Sequence, residues 1–303
     1  MNVVIKVNDE IKDKMIEYYK DKKRDKVIPY VVFQAQEEDT VITLYESGKC
    51  MFQGVSADVD AAMWGTELEN TKEKKDERKK EDLKYYNCSA VGSDEVGTGD
   101  YFGPIVVTAC FVSKDDISFL EELGVGDSKK IDDDKILKIA PQIAKRIKYK
   151  SVILTNSEYN EKYTRDTNMN KIKAILHNRV LYQLINDEKP IYDYIIVDEF
   201  AREGRYYDYI KDQPVIQRNI TFLTKAEDKN NAVGCASIIS RYLFLKEFDK
   251  MCDEVHMPLC KGAGKDVDKI GEEYVEKYGE EALSKVAKLN FKNTERILHT
   301  MIY

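Results

Sequence analysis

Residues 70–84, NTKEKKDERKKEDLK, form a run with almost no apolar side chain. A hydrophobic core cannot be built across such a run, so the chain on either side must bury its apolar surface separately. Residues 71–86 therefore read as a charged linker between a module of residues 1–70 and a larger domain of residues 87–303. A chain of 303 residues has room for both. The basic part of the run could reach phosphates, but a solvated tether is the simpler reading.

The first module opens with NVVIKV, residues 2–7, a short strand. Asn8 is placed to cap a helix carrying Ile11, Met15, Tyr18 and Tyr19 on one side. Strand-like runs follow at 30–36, 41–45 and 49–53, broken by polar residues 37–40 and by Ser47-Gly48. Ser56 then caps a second helix through Trp64 to about Leu68. The order β-α-β-β-β-α makes one small sheet with two helices. Tyr30, Phe33, Tyr45 and Phe52 alternate along it, so only one face can be core and the other is available to a ligand.

From Cys88 the pattern changes to strands near 88–93, 104–112, 149–154, 193–198 and 219–224. Helical stretches lie near 132–146, 168–186, 229–249, 267–277 and 293–302. The alternation specifies an α/β domain with a mixed sheet. The six cysteines show no CxxC pair, so neither a zinc site nor a disulfide framework is indicated, and Cys110 and Cys235 read as small core residues. A net charge of −7 argues against coating nucleic acid by bulk charge and leaves room for a local basic patch. No apolar run is long enough to span a membrane, and no secretory signal opens the chain, so a cytoplasmic protein is expected.

The most informative stretch is VGSDEVGTGDYFGPIVVTACFV, residues 91–112, where Asp94 and Glu95 stand side by side in an apolar, glycine-rich run. Buried carboxylates need a cation. A second acid, Asp198 or its neighbour Glu199, closes the strand YIIVD. A third, Glu227 or Asp228, precedes a helix rich in small residues that can pack close to the sheet. Acids at the carboxyl edge of α/β strands occupy the usual place for a site. An all-oxygen donor set selects a hard cation, Mg²⁺ or Mn²⁺, and several carboxylates at one point suit two ions roughly 3.5–4 Å apart on a phosphodiester. The residues alone reach divalent-metal phosphate chemistry.

The loop GTGDYFG, 97–103, exposes backbone directly after the acids and is not a dinucleotide fingerprint. CKGAGKDVD, 260–268, fails as a P-loop because position 259 is Leu and Asp266 follows Lys265 where Ser or Thr is needed. Together, SDEVGTGDYFGPIVV, VGDSKKI, NMNKIKAILHN, YIIVDEF, TKAED with ASIISRY, KGAGKDVD and FKNTERI resemble the bacterial ribonuclease HIII family, of the type 2 ribonuclease H superfamily, in that family's order. The resemblance spans about residues 88–303. The first module, including YESGKCMFQG, is similar to that family's TATA-binding-protein-like substrate-binding domain.

The resemblance implies a ribonuclease-H-like mixed sheet flanked by helices, with a small N-terminal α+β domain. It implies an Asp-Glu-Asp-Glu site of Asp94, Glu95, Asp198 and Glu227, holding Mg²⁺ or Mn²⁺, two ions in the substrate complex. It implies hydrolysis of the RNA strand of an RNA/DNA hybrid to 3′-hydroxyl and 5′-phosphate ends, by a monomer with no organic cofactor and no membrane partner. Gly97, Thr98 and Gly99 would approach the ribose, while Ser128, Lys129, Lys130, Lys261 and Lys265 would contact phosphates. Asn290 stands where the family often has His. His177, six residues from Lys171 on one helix, reads as a satisfied helix histidine. A sugar-kinase-type phosphotransferase, using DEVGTG as a phosphate loop, is the competing class.

Overall fold

A computed structural model describes residues 2–24, 28–64, 83–125, 131–164 and 166–299. Most of the charged run lies outside the described residues, and so do Ser128, Lys129 and Lys130. The chain divides into two compact units, residues 1–81 and 82–303. None of the described helices is long and apolar enough to cross a membrane.

The first unit runs β1 (Asn2–Lys6), α1 (Asp9–Tyr18), β2 (Val31–Glu37), β3 (Thr40–Tyr45), β4 (Lys49–Gly54) and α2 (Ala57–Ala62). Its antiparallel sheet has the order β1-β4-β3-β2. Asn8 caps α1 as expected, its Oδ1 accepting the Ile11 N–H at 2.9 Å. Glu37 pairs with Thr40 across a two-residue turn. Gly48, at φ +77°, closes the next turn, where a Cβ would stand 2.7 Å from the Val7 carbonyl oxygen. The register sets Ile5, Cys50, Leu44 and Phe33 in one row across the strands, all buried under the helices. The neighbouring row, Val4, Met51, Thr43 and Gln34, falls on the opposite face. Phe33 and Phe52 are therefore core, whereas Tyr30 is 78% exposed.

The second unit is built on β5 (Ala90–Val96), β6 (Ile105–Val112), β7 (Lys148–Leu154), β8 (Tyr194–Asp198) and β9 (Ile220–Leu223), in the order β7-β6-β5-β8-β9. β5 is antiparallel to β6 and parallel to β8, which makes the sheet mixed. Its helices are α3 (Ile117–Leu123), α4 (Asp133–Arg146), α5 (Asn156–Lys162), α6 (Met169–Glu188), α7 (Glu203–Ile210), α8 (Asn231–Glu254), α9 (Lys265–Tyr278), α10 (Leu283–Val286) and α11 (Lys292–Ile297). Alternation along the strands feeds two cores. Ala90, Val106, Cys110 and Ile196 pack with α4 and α8 on one face. Val91, Val107, Ile195 and Val197 pack with α6 and α7 on the other.

Two features differ from the sequence reading. The strand expected to end before the acids continues through them to Val96, because the β6 pairing extends to Val96–Val106. The short helices α3, α5, α7 and α10 carry too few turns for a periodicity to show. The close approach expected of the small-residue helix is present: a Cβ on Gly92 would stand 2.5 Å from the Val233 backbone nitrogen.

Candidate active site

β5 and β8 are adjacent parallel strands at the middle of the sheet, with Ser93 paired to Val197. Asp94 and Asp198 are the next residues on each, so both acids reach the carboxyl edge at the same level. Asp198 Oδ1 accepts the Ala226 N–H at 3.0 Å, tying the end of β8 to the short turn Ala226–Asp228 that carries Glu227. This is how an acid well beyond β8 in the chain is brought to the strand ends. Glu199, by contrast, is exposed and engages Leu223 through its backbone.

Alternation sends Asp94 and Glu95 to opposite faces. Asp94 looks toward α8, where Ser240 Oγ donates to its carbonyl at 3.2 Å and Ser237 hydrogen-bonds its carboxyl. Burial, reinforced by the charges of Glu95 and Glu227, pushes the Asp94 carboxyl well above the ordinary carboxylate range despite these bonds. Glu95 looks toward α6. Its Oε2 is 2.8 Å from His177 Nε2, and its Oε1 is paired with Lys173. Burial alone would raise Glu95, but the His177 hydrogen bond and the charges of His177 and Lys173 outweigh it and hold the carboxyl below its ordinary value. His177 is fully buried, and its Nδ1 is 2.7 Å from Ser93 Oγ. Phe200 stacks on the His177 ring at 5.4 Å and lies 4.1 Å from the Lys173 ammonium.

His177 is thus satisfied, as its sequence suggested, but its partner is a site carboxylate. Lys173, Ser93 and Phe200 escaped the sequence reading. The signal was available for Lys173, which stands four residues before His177 on one helix face. Asn290 makes a packing contact, its Oδ1 accepting the Tyr159 hydroxyl at 2.9 Å.

The donor set is all carboxylate oxygen, and Asp94 is desolvated among like charges, a combination that fits a hard divalent cation. Among the described residues, no three acidic, His or Cys side chains already converge on one ion position. Two of the carboxylates are turned to protein partners, Glu95 to α6 and Asp198 to Ala226.

The loop 97–103 closes the β5–β6 hairpin beside these acids. Gly97 is buried at φ +95°, and a Cβ there would lie 2.1 Å from the Pro104 carbonyl oxygen. Gly99 is exposed, and a Cβ there would meet nothing within 4 Å. Asp100 Oδ1 accepts the Gly262 N–H at 2.6 Å, joining this loop to the one carrying Lys261. Lys261 itself pairs with Asp133, which also takes Arg241 at 2.9 Å. Lys265 is exposed at the first position of α9.

Residues 91–294 match the family model described as Ribonuclease HII, and residues 2–77 match one described as a domain of unknown function (DUF3378). The chain is 39% identical over 309 residues to a ribonuclease HIII of Bacillus cereus, covering 99% of both proteins. It is 40% identical over 301 residues to one of Listeria monocytogenes, covering 98% of both. Among solved structures it is similar to Bst-RNase HIII in complex with Mn²⁺, with a TM-score of 0.70 and 36% identity over 99% of this chain and 98% of that one. Aquifex aeolicus RNase H3, at 20% identity and a TM-score of 0.55, shares the fold. Matched over nearly its whole length by curated relatives, the chain belongs to the ribonuclease HIII family.

Proposed function

We propose that this protein is an endoribonuclease that hydrolyses the RNA strand of an RNA/DNA hybrid, leaving 3′-hydroxyl and 5′-phosphate ends. The observation that carries this reading is the pair of acid-bearing central strands opening beside a glycine loop whose Gly99 is exposed, in a chain of the ribonuclease HIII family. Asp94, Glu95, Asp198 and Glu227 would hold Mg²⁺ or Mn²⁺, two ions in the substrate complex. Such ions supply an activated water and neutralise charge at the phosphate. Lys173 and His177 keep Glu95 ionised and fixed, as a ligand must be. Glu227 is preferred to Asp228 because its charge is felt at Asp94.

Acids that hold metal on a phosphate do not read the sugar. That task falls to the backbone of Thr98 and Gly99, which can approach a 2′-hydroxyl because no side chain at Gly99 intervenes. Lys261, Lys265, Ser128, Lys129 and Lys130 contact phosphates. The N-terminal unit binds the hybrid through the sheet face bearing Val4, Met51, Thr43 and Gln34. The enzyme acts as a cytoplasmic monomer.

The phosphotransferase reading is set aside by the family match. The loop agrees: its first glycine is packed against Pro104 and Phe244 and is not presented to a nucleotide. Labelled RNA/DNA hybrid, RNA/RNA, DNA/DNA and ATP with candidate sugars, each with Mg²⁺ or Mn²⁺, test the proposal together. Cleavage confined to the RNA of the hybrid is expected; phosphoryl transfer from ATP, or equal cleavage of all duplexes, would overturn it.

A further inference from the structure

Lys288 is fully buried, an unusual place for an ammonium group. Its Nζ donates to the Asp100 carbonyl at 2.8 Å and to the Gly103 carbonyl, both in the glycine loop. Among the described residues these two backbone oxygens are the only hydrogen-bond partners of the Nζ. Burial pushes the amine down to about 7, against the charge of Asp100, which favours the ammonium. An apolar side chain would sit in such a place at lower cost, so the position is explained by what the amine holds.

Lys288 is the last part of a strap. The Gly103 N–H donates to the Val286 carbonyl at 3.1 Å, and the Lys288 N–H donates to the Tyr101 carbonyl at 2.9 Å. Phe102 and Ala287 form a β-bridge between them. On its other side the loop is held by Gly262, whose carbonyl accepts the Tyr101 N–H at 2.8 Å. Residues 100–103 are therefore fastened by main-chain bonds, and the Lys288 amine bridges both ends of that segment. Immediately before it stands Gly99, exposed beside the acid-bearing strand. An ammonium has three N–H donors and a neutral amine two, so either form holds both carbonyls.

We propose that Lys288 is a positioning residue for substrate choice: by holding the carbonyls of Asp100 and Gly103 it fixes where the Thr98 and Gly99 backbone stands relative to Asp94 and Glu95, and so sets the preference for ribose at the cut. The inference rests on the reading that this loop faces the sugar.

Lys288→Met keeps the bulk and removes both bonds. In the full-length chain, hydrogen exchange at residues 98–103 should accelerate while β5 and β6 keep their protection. The kcat for hybrid should fall by about tenfold or more with a smaller change in KM, the mark of lost positioning. The preference for an all-RNA strand over one carrying a single 2′-deoxy residue beside the cut should shrink. A folded variant with wild-type loop protection, kcat and preference would overturn the proposal. If Met is not tolerated, Lys288→Ala provides the second route. Propylamine should restore kcat and loop protection, whereas 1-propanol should not; failure of propylamine would equally sink the idea. The two readings fail differently. A wild-type enzyme indifferent to the 2′-deoxy residue refutes sugar reading by the loop, while unchanged exchange in the variant refutes the role of Lys288.

Discussion

Asp94 and Asp198 stand at the same level on neighbouring strands, and each can be replaced by Asn without opening a cavity. Asp94→Asn and Asp198→Asn should each reduce hybrid cleavage to about background while the melting temperature stays near wild type, because the charge of a proposed metal ligand is lost and packing is not. In Asp198→Asn the amide oxygen still accepts the Ala226 N–H, which makes that variant the cleaner of the two. Glu227→Gln should impair turnover far more than Asp228→Asn, measured as kcat on the same hybrid. His177→Asn and Lys173→Met act through Glu95 and should cost about 10–100-fold in activity or metal affinity, as outer-shell losses do. Lys288 gives a pH signature. Its amine is lowered to about 7 in the fold from an ordinary 10.5, so between those values the unfolded chain binds more protons and stability rises with pH. Urea midpoints recorded from pH 7 to 10 should rise less steeply in Lys288→Met than in wild type. At this scale the acids were legible because charge inside an apolar run stands out. The spacing of Lys173 and His177 sets them on one helix face but says nothing of the Glu95 carboxylate they meet in space, and nothing near Lys288 in sequence announces the carbonyls it holds.

The elements around the site are set by close approach. Gly92→Ala places a methyl against the Val233 backbone and must push α8 from β5. It should lower stability by about 1–3 kcal/mol, visible as a reduced melting temperature, and also weaken turnover because α8 carries Ser237 and Ser240 to Asp94. Gly99→Ala is the informative contrast. Nothing in the protein lies within 4 Å of the added methyl, and the residue is not among the glycines with positive φ, so the fold should be untouched. A fall in hybrid cleavage at constant melting temperature would then report a clash with substrate; unchanged cleavage would remove Gly99 from the sugar contact. Strands β6 to β8 were readable as apolar runs, and α4 and α9 by their period. The end of β5 was not, because Ser93, Asp94 and Glu95 are polar and are held in the strand by pairing with β6.

Across the whole molecule, the charged run was the clearest mark in the sequence, since composition alone forbids a shared core there. Which face of the first sheet is core became visible only with the strand register. Deleting residues 1–70 should weaken hybrid binding and raise KM with kcat largely kept. The full-length protein should also show the steeper loss of affinity with salt, because more phosphate contacts release more counterions. Equal salt slopes in the two proteins would make the first unit structural. One property of the chain concerns its order of synthesis. Lys288 lies 185 positions beyond the carbonyl of Gly103 that it holds. A growing polypeptide displays its acids and its first hairpin long before residues 286–288 have been made, and domains begin to fold as they emerge. If Lys288 guides substrate choice as proposed, the nascent enzyme possesses its blade before its guide, and it becomes selective only once residues 286–288 have emerged.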